Sequence, residues 1–305
     1  MTFIMKTAIL CVLCICPATI TAEAVVNDNT RNDLEFLQDG IVKDIAPQNL
    51  PATISLSSRW LKVKFNTDNA TWEVFDKRTN QTRRQKAPVQ NVILTSVKKK
   101  NDQNLIFDWF QAGGQMRCGV EIELEKSRPE IIVRIQGAGE LNQPIQYPQP
   151  FVSEAGTHLV IPMNEGISYP VDDKTIKPRR LITYGGHGIC MAFWGATDGR
   201  DGYMAILETA DDAAIDVRRF DGKLCVSPLW ESQLGKFGYE RRLRYVFFEK
   251  GGHVAICKRY RQYVAGAGRL KTLREKEREN PNVDLLIGAV NIWNWDKNPV
   301  EIVKE

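Results

Sequence analysis

Alternation of apolar and polar residues with a period of two recurs along this chain from about residue 50 to residue 250. One example puts a row of apolar side chains on one face of an extended segment: Met116, Cys118, Val120, Ile122 and Leu124. The intervening positions are mostly charged: Arg117, Glu121, Glu123 and Glu125. A helix, with about 3.6 residues per turn, would not keep these two sets apart. The pattern therefore predicts strands with one buried face.

Similar alternation occurs in residues 61–65, 89–94, 131–135, 203–207 and 243–247. Between these segments lie polar clusters of the kind that form turns, among them residues 66–69, 198–202 and 221–222. Many strands joined by polar turns over about 200 residues are typical of two packed antiparallel sheets. The sequence thus predicts a mainly β protein with a large antiparallel β-sandwich over residues 49–250.

The pattern changes after residue 250. Ile256, Tyr260, Tyr263 and Ala267 recur at helical spacing, and residues 271–279 form a highly charged helix-forming stretch that precedes Pro281. Residues 251–280 are therefore predicted to be a helical connector that follows the sandwich.

Residues 285–293 are almost uniformly apolar, as expected of a strand buried on both faces in a parallel sheet. A lone parallel strand has no neighbour to pair with. We therefore expect residues 281–305 to be the start, with the first strand, of a truncated (β/α)8 barrel. The alternative is that this strand returns to an edge of the sandwich.

The N-terminus has the features of a signal peptide over residues 1–24. Lys6 precedes a short apolar run over residues 7–16, Pro17 interrupts it, and Ala22 and Ala24 have the spacing of a cleavage site. A lipoprotein is the competing interpretation, but Cys11, Cys14 and Cys16 follow large residues. We expect a secreted or periplasmic protein whose residues 25–48 are a flexible lead-in.

Charge and residue usage exclude several function classes. The net charge is only +4, with the basic residues mostly scattered, which disfavours nucleic-acid binding. No later segment is long and apolar enough to predict a membrane anchor. The histidines are isolated from one another and from cysteines, so neither a metal site nor a cofactor is predicted.

An oxidising compartment permits disulfides among four cysteines, whose pairing stays open: Cys118, Cys190, Cys225 and Cys257. For Cys190 and Cys257 a buried, unpaired thiol is the favoured alternative.

Two segments resemble a known enzyme family. Residues 272–289, after a helix ending in residues 260–263, look like the sandwich-to-barrel junction of glycoside hydrolase family 129, which is related to the family 101 endo-α-N-acetylgalactosaminidases. Residues 161–170 resemble a loop of the sandwich in the same group. The resemblance covers about residues 50–296, the N-terminal portion of such an enzyme.

The resemblance implies a retaining glycoside hydrolase that acts on α-linked N-acetylgalactosamine in mucin-type glycans. Such an enzyme needs two carboxyl groups about 5 Å apart, one as nucleophile and one as acid and base. In a barrel enzyme these groups sit at the C-terminal ends of strands. No residue of this chain matches them, so no catalytic residue is assigned, and we expect the isolated chain to be inactive. The oligomeric state stays open.

Four residues are candidates for binding the glycan. Trp295 and Asp296 end the predicted barrel strand, where a tryptophan can stack on a sugar and an aspartate can accept its hydroxyls. Asn164 and Glu165 lie in a glycine-containing loop that we expect to face the same cleft. Each has a purely structural alternative, as a packing tryptophan, a turn cap or an exposed turn.

Other features have more ordinary interpretations. Asp172 and Asp173 are either solvated turn charges or part of a calcium site, and residues 184–188 are a bulge or a tight turn rather than a phosphate loop. Trp60, Trp72 and Trp194 are predicted to lie in the core, whereas Trp109 and Trp230 are either core residues or an exposed platform. The competing functions are a carbohydrate-binding sandwich without an enzyme and a structural domain.

Overall fold

The structure is a computed structural model, and it describes residues 50–88, 92–111 and 116–290. The strands are β1 (Thr53–Ser57), β2 (Leu61–Asn66), β3 (Trp72–Asp76), β4 (Gln81–Arg84), β5 (Val92–Asn101), β6 (Asn104–Gln111), β7 (Arg117–Leu124), β8 (Glu130–Ala138), β9 (His158–Ile161), β10 (Ile167–Pro170), β11 (Arg179–Ile182), β12 (Phe193–Thr197), β13 (Gly202–Leu207), β14 (Ala213–Phe220), β15 (Lys223–Trp230) and β16 (Arg241–Phe248). The helices are α1 (Gly252–Gly266), α2 (Leu273–Glu279) and a 3-10 helix (Pro281–Leu286).

The strands form three antiparallel sheets. A nine-stranded sheet has the order β10-β9-β12-β13-β16-β8-β7-β6-β5, a four-stranded sheet has the order β1-β2-β3-β4, and a three-stranded sheet has the order β11-β14-β15. The alternation at residues 117–124 places Val120 and Ile122 opposite Ile135 and Val133 of β8. The prediction of a mainly β, antiparallel sandwich is confirmed.

One hydrophobic core joins all three sheets. Phe65 of the four-stranded sheet contacts Phe107 of the nine-stranded sheet with ring centroids 4.7 Å apart. Trp72 meets Tyr245 edge to face at 5.6 Å across the same layers. Aromatic pairs in these arrangements contribute beyond the burial of their area. The inner face of the large sheet is therefore covered by the two smaller sheets.

The tryptophans of the described residues belong to this core. Trp109 and Trp230 are 2 % and 0 % exposed, and Trp230 Nε1 donates to the carbonyl oxygen of Tyr147 at 2.7 Å. Trp72 and Trp194 are also buried, and Trp60 packs half-buried against the core. Of the two alternatives for Trp109 and Trp230, the structure thus supports the core position.

Helix α1 covers part of the outer face of the nine-stranded sheet. Ile256 is fully buried against Phe193, Met204 and Val246. Gly195 of β12 makes this close approach possible, because a Cβ atom at that position would lie 2.7 Å from Ile256 Cδ1. The helical spacing in the sequence therefore corresponds to a helix that packs on the sheet.

The strand predicted from Leu285 is not formed in the described part of the segment. Asn280 caps a 3-10 helix that begins at Pro281, and Leu285 and Leu286 lie in that helix with exposed fractions of 74 % and 73 %. The described chain offers this segment no neighbouring strand for its backbone to pair with, so local hydrogen bonds form instead. Residues 291–305 lie outside the described residues.

Candidate functional site

The turn between β9 and β10 carries Asn164 and Glu165 at the protein surface. Asn164 has a left-handed backbone, with φ of 54°, and Gly166 follows with φ of 94°. Gly166 N donates to the carbonyl oxygen of Met163 at 2.9 Å, which closes the turn. Asparagine and glycine tolerate this backbone region best, which explains their use here. Both candidate residues, Asn164 and Glu165, are exposed on this turn.

Cys190 holds this turn against a second loop. Its backbone N donates to the carbonyl oxygen of Pro162 at 2.9 Å, and its Sγ donates to the same oxygen at 3.1 Å. The thiol is exposed and unpaired, so the expectation of a buried Cys190 is wrong, as it is for Cys257 on α1. Ile189, Ala192 and Phe193 are buried, whereas Cys190 and Met191 lie at the surface. Cys118 and Cys225 are buried and free.

The second loop comprises residues 184–188 and is a tight turn. Tyr184 N donates to the carbonyl oxygen of Ile189 at 2.8 Å, and Gly188 N donates to that of Gly185 at 2.9 Å. A Cβ atom on Gly188 would lie only 1.9 Å from the carbonyl oxygen of Ile182, so no other residue fits there without movement of the backbone. The structure agrees with the tight-turn interpretation, and no helix follows the loop as a phosphate loop would require.

Tyr184 projects from this tight turn into solvent. Its φ is 58°, an uncommon value for a residue other than glycine, and its side chain is 56 % exposed. The pKa of Tyr184 is raised to about 12, first by partial burial and then by the neighbouring Tyr260 of α1. Residues held in uncommon backbone regions of this kind cluster at active sites and ligand clamps.

Tyr260 of α1 contacts the chain that follows Cys190. Its hydroxyl oxygen accepts a hydrogen bond from Ala192 N at 3.1 Å, and its ring stacks on Phe193 at 4.5 Å. The ring of Tyr263, on the next turn of the helix, has its centroid 6.2 Å from that of the Tyr260 ring. We use the term loop surface for the exposed residues around this junction: Asn164, Glu165, Tyr184, Cys190 and Met191.

The loop surface combines amide and carboxylate groups with an exposed aromatic ring. Such a combination can hydrogen-bond sugar hydroxyls and stack on a sugar face. Sequence reasoning identified Asn164 and Glu165 but missed Tyr184 as a binding candidate. The glycines that follow Tyr184 were the available signal, because they indicate a turn that displays its first residue.

Trp295 and Asp296 lie outside the described residues. Whether they approach Asn164 and Glu165 therefore stays a prediction, as does the binding role of all four residues.

Asp172 and Asp173 take part in turns. Asp173 Oδ1 accepts hydrogen bonds from Thr175 N at 2.9 Å and from Thr175 Oγ1 at 2.7 Å, and these bonds lower the pKa of Asp173. Asp172 Oδ2 accepts from Gly156 N at 3.3 Å.

Within the described ranges no group of three or more histidine, cysteine or acidic side chains is arranged to hold a metal ion. The helices of those ranges are also too short or too polar to cross a bilayer.

Fold and loop surface together define a mainly β sandwich protein with exposed polar turns beside a C-terminal helix. Among solved structures, it is similar to α-N-acetylgalactosaminidase NagBb from Bifidobacterium bifidum. The complex of that enzyme with GalNAc matches with a TM-score of 0.65 and 20 % identity, over 76 % of this chain and 42 % of that chain. A quadruple mutant matches with a TM-score of 0.66 and 19 % identity, over 82 % and 47 %.

The ligand-free form of the same enzyme has a TM-score of 0.59 and 20 % identity, over 75 % of this chain and 41 % of that chain. At this identity the likeness shows a shared fold. The chain spans less than half the length of the solved enzymes that it matches. No family model matches the sequence. No curated protein matches it either.

Proposed function

We propose that this chain is the sandwich part of an exported, retaining glycoside hydrolase of family 129 that acts on α-linked N-acetylgalactosamine of mucin-type glycans. The observation that carries the proposal is the fold match to an α-N-acetylgalactosaminidase over about three quarters of this chain, 76 % in one structure. The resemblance at residues 161–170 and 272–289 supports the same family independently, because it rests on sequence.

The isolated chain lacks catalytic activity in this proposal. A retaining glycosidase requires a nucleophilic carboxylate and a second carboxyl about 5 Å away, on opposite sides of the scissile bond. In barrel enzymes these residues follow later strands. The match covers only 42 % of the solved enzyme, and the proposal assigns no residue of this chain to the catalytic pair.

The loop surface is proposed to face the glycan. Tyr184 offers the ring for stacking, and Asn164 offers both a donor and an acceptor for hydroxyl groups. Glu165 forms no hydrogen bond or ion pair with any described residue, so its carboxylate remains available to a ligand. Tyr260 of α1 neighbours Tyr184, and its hydroxyl oxygen accepts a hydrogen bond from Ala192 N beside the loop surface.

A carbohydrate-binding sandwich without an enzyme is the second candidate. Many modules of that type would present a planar row of exposed aromatic rings. The described tryptophans are instead buried or half-buried, and the exposed aromatic ring of the loop surface is Tyr184. The described residues therefore favour a site made of loops over a flat aromatic platform.

An activity and binding test on residues 25–305 addresses the proposal. The chain should not hydrolyse 4-nitrophenyl α-N-acetylgalactosaminide above the uncatalysed rate, and saturation-transfer NMR should show weak contact with N-acetylgalactosamine and less with glucose. Turnover that survives a check for contaminating enzyme would refute the inactivity of the chain.

Variants locate the binding. Tyr184→Ala should remove the saturation-transfer signal, whereas Val254→Ala, at an exposed apolar position on the first turn of α1, should leave it unchanged. Equal signals for the two sugars, or no effect of Tyr184→Ala, would argue against a glycan role for the loop surface. The nucleotide sequence downstream of Glu305 tests the architecture, since the proposal expects an open frame that encodes strand and helix units.

A further inference from the structure

The turn between β15 and β16 presents an apolar side chain to solvent at its apex. Leu234 is 99 % exposed, the highest value among the exposed large apolar residues of the described ranges. Leu234 and Gly235 have φ values of 49° and 83°. Gln233 and Lys236, on either side, exchange two backbone hydrogen bonds of 2.8 and 3.0 Å. This is a two-residue hairpin turn with a left-handed backbone at both central positions.

Folding alone does not favour a leucine at position 234. The left-handed backbone brings a Cβ atom too close to the following carbonyl oxygen, and turns of this type prefer asparagine, aspartate or glycine at the first central position. Because Leu234 is almost completely exposed, burial of its side chain does not offset this strain. Residues held in strained backbone regions cluster at functional sites. Leu234 therefore has the character of a contact residue for another surface.

The hairpin that carries Leu234 is firmly held at its base and its apex. Arg241 is fully buried at the base, with its guanidinium carbon 3.4 Å from the centroid of the Tyr239 ring. Arg241 Nη2 donates to the carbonyl oxygen of Glu231 at 3.0 Å. At the apex, Leu141 N donates to the carbonyl oxygen of Gly235 at 2.8 Å. An anchor that is already ordered loses little conformational entropy when it docks.

Further exposed apolar side chains lie at the same end of the sandwich. The antiparallel register brings together the last residues of β11, β13 and β15 and the first residues of β12, β14 and β16. Ile182 and Met191 belong to these junctions and are exposed. The hairpin adjoins them, because Glu231 N donates to the carbonyl oxygen of Asp212 at 2.9 Å. We use the term apolar end for Ile182, Met191 and Leu234, which together extend beyond a single scattered leucine.

Helix α1 brings the chain that follows the sandwich to the apolar end. The helix begins at the opposite end, where Gly252 N donates to the carbonyl oxygen of Arg200 at 3.0 Å in the turn between β12 and β13. Further along, Tyr260 accepts from Ala192 N at 3.1 Å, immediately before β12. Leu270, which follows the helix, is exposed as well. The segment after α1 therefore starts next to the apolar end.

We propose that the apolar end docks the part of the hydrolase that follows the sandwich, with Leu234 inserted into an apolar depression of that part. This inference rests on the proposed function. The matched region makes up 42 % and 47 % of two solved enzymes with this fold, so those chains contain further protein for such a contact. Docking at Leu234 makes the adjoining loop surface one wall of a cleft between the two parts.

The role of Leu234 in folding is tested on residues 25–305. Leu234→Asn should move the urea midpoint upward, because asparagine tolerates the left-handed backbone and no buried contact is lost. Val254→Asn, at an exposed apolar position on the first turn of α1, should give no such gain. A lower midpoint for Leu234→Asn would mean that the leucine serves the fold of the sandwich, and it would overturn the proposal.

Docking is tested on the product of the reading frame extended beyond Glu305. A photoreactive benzoylphenylalanine in place of Leu234 should form a cross-link to a peptide encoded beyond Glu305, identified by mass spectrometry. The same group in place of Val254, near the opposite end, should form none. The proposal fails if position 234 gives no such cross-link, if both positions give it equally, if position 234 links two copies of the chain, or if the frame stops at Glu305.

Activity separates this inference from the proposed function. The extended product is assayed with 4-nitrophenyl α-N-acetylgalactosaminide. Hydrolysis without the cross-link overturns the docking and leaves the proposed function intact, and a cross-link without hydrolysis does the reverse. In the extended product, Leu234→Asn should weaken docking roughly tenfold, as expected for one buried leucine. Tryptic cleavage within residues 267–290 should become faster to the same extent. An unchanged cleavage rate would contradict the contact.

Discussion

Arg259 on α1 and Glu130 at the start of β8 form a buried ion pair that joins the helix to the nine-stranded sheet. Arg259 Nη2 lies 2.8 Å from Glu130 Oε1. The other carboxylate oxygen of Glu130 receives Arg244 Nη1 at 2.9 Å. Glu130 is 2 % exposed, so its charge is compensated by the two arginines rather than by water. This contact adds a polar anchor for α1 to the apolar contact made by Ile256.

Glu130→Gln should therefore lower the free energy of unfolding by about 3 kcal/mol, because it removes the buried carboxylate that Arg259 and Arg244 share and leaves Arg244 with Glu208 alone. Urea unfolding monitored by tryptophan fluorescence measures this. Glu279→Gln is the matched control, since Lys271 and Glu279 are 54 % and 60 % exposed and such pairs contribute less than about 1 kcal/mol. Similar losses in the two variants would contradict the role assigned to Glu130.

The sequence predicted the sandwich because its residues alternate, and alternation follows directly from the geometry of a strand with one buried face. Val120 and Ile122 illustrate this, as both are buried in the core. The contact between Glu130 and Arg259 could not be predicted in the same way. The two residues are 129 positions apart, and each has the appearance of an ordinary surface charge.

The candidate site was predictable only in part, for a similar reason. Asn164 and Gly166 are visible as turn residues in sequence, but the contact of Tyr184 with Tyr260 depends on how α1 packs. At residues 285–286 the apolar composition led to the wrong prediction of a buried strand. Apolar side chains are buried only where another surface is present to cover them.

Gly188→Ala tests the construction of the loop that carries Tyr184. The added Cβ would lie 1.9 Å from the carbonyl oxygen of Ile182, so the turn has to open and stability should fall by more than about 2 kcal/mol. The NMR signals of Tyr184 should also move. Gly266→Ala, where the Cβ meets nothing within 4 Å, should cause no loss and a gain of at most about 1 kcal/mol. A stable Gly188→Ala variant with unchanged Tyr184 signals would show that the loop is less tightly built.

Core tyrosines predict a loss of stability at high pH. Burial raises the pKa values of Tyr147, Tyr203 and Tyr245 above the ordinary value of 10.0. Below pH 10 these groups are protonated in both folded and unfolded chains, and their contribution is fully present. Above pH 10 the unfolded chain loses protons first, so the folded state is destabilised as pH rises.

Each such tyrosine should contribute a slope of about 1.4 kcal/mol per pH unit above pH 10. Thermal unfolding between pH 9 and 12, with absorbance at 295 nm to follow ionisation, measures the total. Tyr245→Phe should reduce the fall in stability per pH unit by about 1.4 kcal/mol relative to the parent chain. Comparing the stability of the two proteins at pH 7 as well separates this effect from any change in packing. An unchanged slope would mean that Tyr245 ionises in the folded protein.

The exposed apolar segment after α2 predicts the effect of a deletion. Leu285, Leu286, Ile287 and Val290 have exposed fractions of 74 %, 73 %, 62 % and 87 %, and contiguous exposed apolar residues of this kind promote association. The 3-10 helix has no buried residue, so it contributes little to the core. Removing residues 281–305 should raise solubility and leave the thermal transition of the sandwich nearly unchanged. Sedimentation at increasing protein concentration measures the first effect and calorimetry the second.

Removal of residues 270–305, which also takes away α2, serves as the matched control and should behave in the same way, because α2 has no buried residue either. A deletion that unfolds the protein would show that the segment packs against the sandwich, and the interpretation of residues 281–305 as the beginning of a further domain would then be wrong.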